Sequence, residues 1–322
     1  MKIGKLPNDI LKNEILSKIN INSKDVLVGP GVGEDCSIVD FGDEKCVITT
    51  DPITGASNNI GALSVHISCN DIASAGVKPI GVMVTILAPP TCELEDIKNV
   101  MDDVVTTCKS LSVSVLGGHT EITDAVNKMI VSITAIGKGR DIVSTKGAKI
   151  NDDIVVTGYA GLEGTVIIAS DKYDTLLKHF SEEELEGIKS MLQSISVVET
   201  GLIAAEFGVN SMHDATEGGI LGAIWEVGEA SELSVVVEED KIPIKNQTKK
   251  ISKIFNLDPY KLISSGSMII TTPRGEELVS LFREKGINSA VVGKITTGDN
   301  LIIKDNNKMK LTQPESDEIY KI

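Results

Sequence analysis

Aromatic side chains are scarce: five Phe, four Tyr and one Trp in 322 residues. A core built from this chain must rest on Ile, Val, Leu and Ala. Cysteine is also sparse and badly placed for cross-linking. Cys36, Cys46, Cys69, Cys92 and Cys108 are odd in number, lie in the first third and form no C-x-x-C pair, which argues against a disulfide framework or a structural zinc site. They read as small buried hydrophobes of a reducing cytoplasm. Positive charge falls short, with 31 Lys and Arg against 46 Asp and Glu and a net charge of −15. Such a field repels nucleic acid and anionic membrane surfaces. It still admits a nucleotide, because Mg²⁺ bridges carboxylates and phosphates. The longest apolar run, near residues 80–90, is about half the length of a membrane span. Residues 1–20 carry no apolar signal-peptide segment. The expectation is a cytoplasmic protein with no nucleic-acid or membrane partner. G-x-x-x-x-G-K-[ST], G-x-S-x-G and H-E-x-x-H are all missing, which removes the commonest nucleotide, esterase and zinc-protease sites.

A chain of 322 residues suggests two domains at roughly 100–200 residues each. Residues 7–19 read as a short amphipathic helix. Residues 37–40 and 46–50 are apolar runs joined by Gly42-Asp43, a hairpin. Residues 59–75 read as a helix capped by Asn58 or Asn59 and stopped by Gly76. Residues 80–87 are a strand, and Leu94, Ile97, Met101, Val104, Cys108 and Leu111 recur at helical spacing. Strands follow at 113–116 and 129–136, with Gly117–Glu121 read as the loop between them. Composition turns polar over 138–152, which sets the expected boundary: an N-terminal domain over 1–145 and a C-terminal domain over 146–322. The second half alternates again, with strands at 153–157, 233–237, 268–272 and 290–295. Its helices fall at 197–207, 218–229 and 273–285, and Ser181-x-x-Glu184 is a capping box. The last dozen residues read as frayed. The pattern favours two α+β sandwiches over a doubly wound sheet.

Five short motifs place carboxylates at strand ends or helix starts. Gly33-Glu34-Asp35 follows glycines that let backbone approach a phosphate, and Asp35 could hold a metal; an acidic turn explains it as well. Asp51, in Thr49-Thr50-Asp51-Pro52, ends a strand and projects toward a cleft, or caps a turn. Asn70-Asp71 sits in a small, apolar helix, where a charge needs a partner or a metal. Gly117-Gly118-His119-Thr120-Glu121 alternates two metal- or phosphate-competent side chains, His119 and Glu121, although a tight connection would look the same. His213-Asp214-Ala215-Thr216-Glu217-Gly218-Gly219 leads into a helix. Asp214 and Glu217, three apart, could face one metal, and Gly218 and Gly219 open a helix N-terminus suited to an anion. Mg²⁺ takes a few carboxylates plus waters and phosphates, and scattered acids converging on a triphosphate would supply them. His66, His179 and Trp225 read as structural, and Ser264-Ser265-Gly266-Ser267 as a polar turn.

These motifs, in this order, resemble the aminoimidazole ribonucleotide synthetase superfamily over nearly the whole chain. That superfamily includes selenophosphate synthetase, thiamine-monophosphate kinase and the hydrogenase maturation factor HypE. Asn70-Asp71-Ile72-Ala73 and Asp214-Ala215-Thr216-Glu217-Gly218-Gly219 look most like HypE. The resemblance implies an N-terminal α+β domain that pairs with a second subunit into a barrel, and a C-terminal α+β domain. It implies ATP in a cleft of the N-terminal domain, with Mg²⁺ held by Asp35, Asp51 and Asp71. Gly33, Asn70, Gly117, Gly118, His119, Thr120, Glu121, Gly218 and Gly219 would line the nucleotide, and Asp71, Asp214 and Glu217 would serve the chemistry by positioning and charge neutralisation. Three departures stand out. HypE works through a C-terminal cysteine, whereas the last cysteine here is Cys108. His119 stands where the kinase branch carries Asp. Residues 1–35 hold none of the reactive cysteine expected of selenophosphate synthetase. The leading expectation is a HypE-like, homodimeric, ATP-dependent enzyme acting on a small acceptor. The alternatives are a thiamine-monophosphate kinase type of enzyme and a nucleotide-binding partner in metalloenzyme maturation without turnover.

Overall fold

The computed structural model describes residues 7–54, 59–313 and 316–322. Its strands are β1 (Val26–Val28), β2 (Ser37–Asp40), β3 (Lys45–Ile53), β4 (Lys78–Ala88), β5 (Ser114–Ile122), β6 (Ile130–Gly139), β7 (Asp153–Thr157), β8 (Ser211–Asp214), β9 (Ser234–Glu238), β10 (Met268–Thr272), β11 (Ser289–Thr296), β12 (Leu301–Lys304) and β13 (Asn307–Lys310). Its α-helices are α1 (Asn8–Ile10), α2 (Ile60–Ser74), α3 (Leu94–Leu111), α4 (Leu162–Asp171), α5 (Tyr173–Leu176), α6 (Glu182–Lys189), α7 (Val198–Phe207), α8 (Gly219–Ala230), α9 (Asn246–Phe255) and α10 (Gly275–Glu284).

The first sheet runs β1-β2-β3-β6-β4-β5. All its pairings are antiparallel except β4 with β5, which α3 joins as a crossover connection. Side chains alternate across the sheet with period two. Val47, Val82, Val84, Ile86, Val131, Ile133 and Ala135 therefore share one face, and Val65, Cys69 and Ile72 of α2 and Val100, Val104 and Cys108 of α3 join them in one core. α3 has a dry stripe and a charged outer face, and its ends fall where the apolar spacing put them. α2 differs, because 13 of its 15 residues are buried. A helix apolar on all sides is enclosed by protein.

The second sheet runs β13-β12-β9-β11-β7-β10-β8, with β12 parallel to β9 and the rest antiparallel. Its central strands are buried on both faces. Ile154, Val156 and Ile269 pack with α8 residues such as Ile220 and Ile224. Val155, Met268 and Ile270 turn the other way, to Ala204 of α7 and to Leu278 and Phe282 of α10. A satellite core of α4, α6 and α9 residues, among them Ile168, Leu185 and Ile251, lies apart. The chain is α+β, as expected, in two mostly antiparallel sheets. Among the described residues, Phe180 and Phe282 are the only aromatic ones in the buried hydrophobic set, so aliphatic packing carries the cores.

Four expectations change. Gly117–Glu121 is not a loop but lies within β5, paired with Met83–Leu87 of β4. The chain passes so close there that a Cβ on Gly118 would sit 1.8 Å from the Val84 carbonyl oxygen, so Gly118 serves strand packing, whereas a Cβ on Gly117 would meet nothing within 4 Å. Residues 316–322 are docked rather than frayed: Asp317 and Glu318 are buried, and Asp317 accepts hydrogen bonds from backbone N–H groups of Gly218 and Ile319. The N-terminal helix exists as a stretch whose winding loosens over Leu11–Ile15 and tightens over Leu16–Lys18, with no buried residue. Asn59 precedes α2 without a side-chain capping bond, and Asn58 lies outside the described residues.

The two sheets meet through α2. The Asn70 amide donates to Ile195 O and accepts from Val197 N, each at 2.9 Å. Gly201 of α7 presses on the same helix, and a Cβ there would lie 2.3 Å from Ala73 O. Gly201→Ala is expected to lose about 1–3 kcal/mol of unfolding free energy by overpacking this contact. Gly187→Ala, on the exposed face of α6 where an added Cβ meets nothing within 4 Å, should gain about 0.5–1 kcal/mol from helix propensity. Urea midpoints moving in these opposite directions would bear this out.

Candidate functional site

Four aspartates from four distant segments converge at the join between the sheets. Asp35 lies in the loop before β2, Asp51 in β3, Asp71 in α2 and Asp214 at the end of β8. Period two puts Thr49 and Asp51 on the β3 face that α2 covers, and Thr49 Oγ1 donates to Asp71 Oδ2 at 2.6 Å. Asp71 is only 6% exposed. Burial pushes its pKa well above the carboxylate range, and the negative charges of Asp214 and Asp51, a hydrogen bond with Asp51 and the charge of Asp35 push the same way. The Cys36 thiol, buried beside the same four carboxylates, is likewise pushed up, first by burial. It donates to the Asp71 carbonyl oxygen at 3.1 Å. Ser74, one turn beyond Asp71, donates to Asp35 Oδ2 at 2.8 Å.

His213 adds a residue absent from the expected site. It is 4% exposed, on β8 directly before Asp214. Its Nδ1 lies 2.8 Å from Asp35 Oδ1 and 2.9 Å from Oδ2, and its Nε2 lies 3.0 Å from Glu226 Oε2 of α8. Burial opposes charging the ring, but Asp35 and Glu226 outweigh it and hold its pKa well above the ordinary imidazole value. The ligand-type atoms of Asp35, His213 and Asp214 all lie within 4.8 Å of one another. A concentration of hard carboxylate oxygens that raises the pKa of its own central member is short of positive charge, and an oxygen-seeking divalent cation such as Mg²⁺ fits that donor set.

The other expected residues have different surroundings. Asn70 bridges the segment at Ile195 and Val197. Gly33, with φ +77°, packs on α8, where a Cβ would lie 3.0 Å from Glu226 O. Gly117, Gly118, His119, Thr120 and Glu121 are exposed on the edge strand β5, and His119 Nε2 lies 3.2 Å from Glu121 Oε2. Asp51 and Gly118 stand level across the sheet, through Ile133 and Val84. Three strand spacings of about 4.8 Å separate them, roughly 14 Å in all, so β5 is remote from the aspartates within one chain. Glu217 is not among the ligand-type residues grouped with Asp214. It neighbours Glu163 and Asp317 instead. The helix start expected to receive a phosphate already holds a carboxylate, because Gly218 N donates to Asp317 Oδ2 at 2.7 Å. Gly219 packs tightly, and a Cβ there would lie 2.5 Å from Tyr260 O.

Sequence reasoning missed His213 as a member, Glu226, Thr49, Ser74 and the Glu163–Asp317 pair. His213 stood inside a quoted motif, and its place on a short buried strand was the available signal. Glu226 and Glu163 carry no local signature, since their meaning comes from partners 13 to 154 positions away. Ser264 and Ser267 form a buried turn that ties α4 to β10: Gly161 N donates to Ser264 Oγ and Tyr159 N to Ser267 Oγ. His66 is mostly buried on α2, and burial lowers its pKa to about 4, which keeps it neutral. Trp225 packs partly buried on the second-sheet core.

Burial raises Glu163 from 4.5 to about 7, with Ser265 opposing and Glu217 and Asp317 adding like charge. Asp317 is raised to about 6, again first by burial. A raised folded-state carboxyl pKa gives stability that is fully present below the unfolded value and lost as pH climbs through the folded one. For Glu163 the window runs from pH 4.5 to about 7, and the shift corresponds to about 3 kcal/mol. Glu163→Gln should therefore raise the unfolding midpoint at pH 8 relative to the unsubstituted chain, with the gap closing by pH 5. Parallel pH profiles for the two proteins would refute this.

Comparison with known proteins accords with this architecture. Residues 33–139 match the model of the AIR synthase related protein N-terminal domain, and residues 149–306 that of its C-terminal domain. The chain is 28% identical over 308 residues to MJ0676 of Methanocaldococcus jannaschii, named for hydrogenase expression/formation, covering 91% of this chain and 88% of that one. Among solved structures, hydrogenase maturation protein HypE in complex with ATP superposes with a TM-score of 0.70 at 18% identity, covering 98% and 94% of the two chains. AaThiL complexed with AMPPCP and TMP superposes at 0.72 and 18%, covering 89% and 90%. With both domain models matched in order across two distinct sheets, the chain belongs to the AIR synthase-related proteins of the PurM-like fold.

Proposed function

We propose that this chain binds ATP with Mg²⁺ at the aspartate cluster and uses it to activate a small-molecule acceptor. The observation that carries the reading is the convergence of Asp35, Asp51, Asp71 and Asp214, from four segments, with the Asp71 carboxyl raised first by burial and then by its acidic neighbours. Asp35, Asp51 and Asp71 would hold the cation, and Asp214 would sit on the side facing the reacting phosphate. Mg²⁺, held there by these carboxylates, would supply positive charge that offsets the phosphates. The chain's own part is to keep the carboxylates oriented, through Thr49 on Asp71 and Ser74 on Asp35, and to hold the cluster at a junction screened from water. ATP in HypE and AMPPCP in AaThiL support the nucleotide by fold likeness. The names of the relatives support a place in hydrogenase maturation, in which a maturation protein would be the macromolecular partner. The domain division at 145/146 falls between β6 and β7, and each part would hold one sheet.

A homodimer completes the reading. β5 is exposed along its whole length, and Ile80, Met83, Val115 and Leu116 are exposed on β4 and β5. An uncovered edge strand with apolar side chains is a pairing template. No helix among the described residues is long and apolar enough to cross a membrane, and we place the protein in the cytoplasm.

Titration calorimetry with ATP and AMPPCP, with and without Mg²⁺, tests the site. Mg²⁺-dependent binding is expected in the micromolar range, weakened at least tenfold by Asp51→Asn or Asp71→Asn and unchanged by Cys69→Ser. Binding without any turnover over an acceptor screen would leave the non-enzymatic partner reading in place of the enzyme. No heat with any nucleotide would end the proposal. Sedimentation should show a dimer that Leu116→Glu converts to monomer; a monomeric unsubstituted chain would remove the β5 interface.

A further inference from the structure

His213 lies close enough to Asp35 and Asp214 to be counted as a metal ligand by distance, yet its bonding argues for another role. Both ring nitrogens face carboxylates: Nδ1 contacts both oxygens of Asp35, at 2.8 and 2.9 Å, and Nε2 meets Glu226 Oε2 at 3.0 Å. Each ring nitrogen is thus occupied by a carboxylate oxygen at hydrogen-bonding distance, and neither is turned to open space from which a cation could reach it. The two carboxylates belong to different parts of the fold, Asp35 to the loop before β2 of the first sheet and Glu226 to α8 on the second. The same loop is seated on α8, with Gly33 against the Glu226 carbonyl oxygen. Ser74 of α2 donates to Asp35 from a further side.

We propose that His213 is a positioning residue that orients Asp35 for a divalent metal and is itself anchored by Glu226. The inference rests on the reading of the aspartate cluster as a metal site and goes beyond it in two respects. It removes His213 from the ligand set, and it makes cation affinity depend on Glu226, which lies outside the aspartate cluster. Groups that orient the ligands of a metal commonly tune affinity by 10–100-fold. Glu226→Gln keeps an amide oxygen able to accept from Nε2, whereas Glu226→Ala leaves that nitrogen without its acceptor.

Mn²⁺ serves as the probe, bound to the full chain in the presence of AMPPCP. Its half-saturating concentration is followed by the loss of the free-ion electron paramagnetic resonance signal. The expected result is a rise of about tenfold or more in Glu226→Ala and His213→Asn, with Glu226→Gln restoring a value near the unsubstituted one. Pulsed spectra of the unsubstituted protein should show no histidine nitrogen coupled to Mn²⁺, a readout that needs no variant to fold. A directly coupled imidazole nitrogen would overturn the assignment. So would unchanged half-saturation in Glu226→Ala and His213→Asn while Asp35→Asn shifts it, an outcome that leaves the metal site standing. If the unsubstituted protein binds no Mn²⁺ with AMPPCP, the metal reading and this inference fall together.

Discussion

A helix with nearly every side buried imposes the constraint on which the remaining structure depends. α2 must meet the first sheet, α3, α7 and the end of β8 at once, so it is built from small residues that let neighbouring backbones come close. Gly61 faces the Val100 carbonyl oxygen of α3, and Ala73 faces Gly201 of α7. A polar group on such a helix has no solvent to fall back on and needs a protein partner or a ligand. Asn70 finds partners in the segment at Ile195 and Val197. Asp71 finds Thr49 and three more carboxylates, which satisfy its geometry and aggravate its charge. The two adjacent residues thus divide the work, one joining the sheets and the other leaving a deficit of positive charge at the joint.

That deficit is where packing becomes function. Like charges gathered in a poorly solvated place are costly, and they persist where a bound cation relieves them. His213 relieves part of the load with charge supplied by the chain itself, toward Asp35 and Glu226. The remaining demand, centred on Asp71, matches the hard, oxygen-seeking character of Mg²⁺. The acids around Glu163 and Asp317 resemble the first group in composition but not in bonding. There, backbone N–H groups of Gly218 and Ile319 meet Asp317, and the helix start is closed by the chain's own carboxylate.

Much of this was legible in the sequence where a local signal existed. The apolar spacing of α3 set both its ends, the Ser181–Glu184 capping box stands in the structure, and β10 matches residue for residue. Elements without periodicity escaped. α4 is buried over seven of its ten residues, and β8 is four buried residues long. The glycines at 117 and 118 look like loop residues in isolation, and only the approach of Val84 reveals a strand. In the site, the aspartates could be nominated one by one, but their convergence depends on register and topology. Gly33, Gly118 and Gly219, nominated with them, serve close packing, a role that spacing alone does not distinguish from a phosphate cradle.

The wide separation of the four aspartates along the chain has a kinetic corollary. Contacts between residues 35, 51, 71 and 214 close long loops, and contacts of that kind form late because their entropic cost falls due before any gain. A partly folded chain can have either sheet in place and still lack the cluster. Cation affinity would then appear in the last stage of folding, and a bound metal-nucleotide would stabilise only chains that had completed it. In a cell, occupancy of this site would separate finished molecules from unfinished ones before any catalytic step is asked of them.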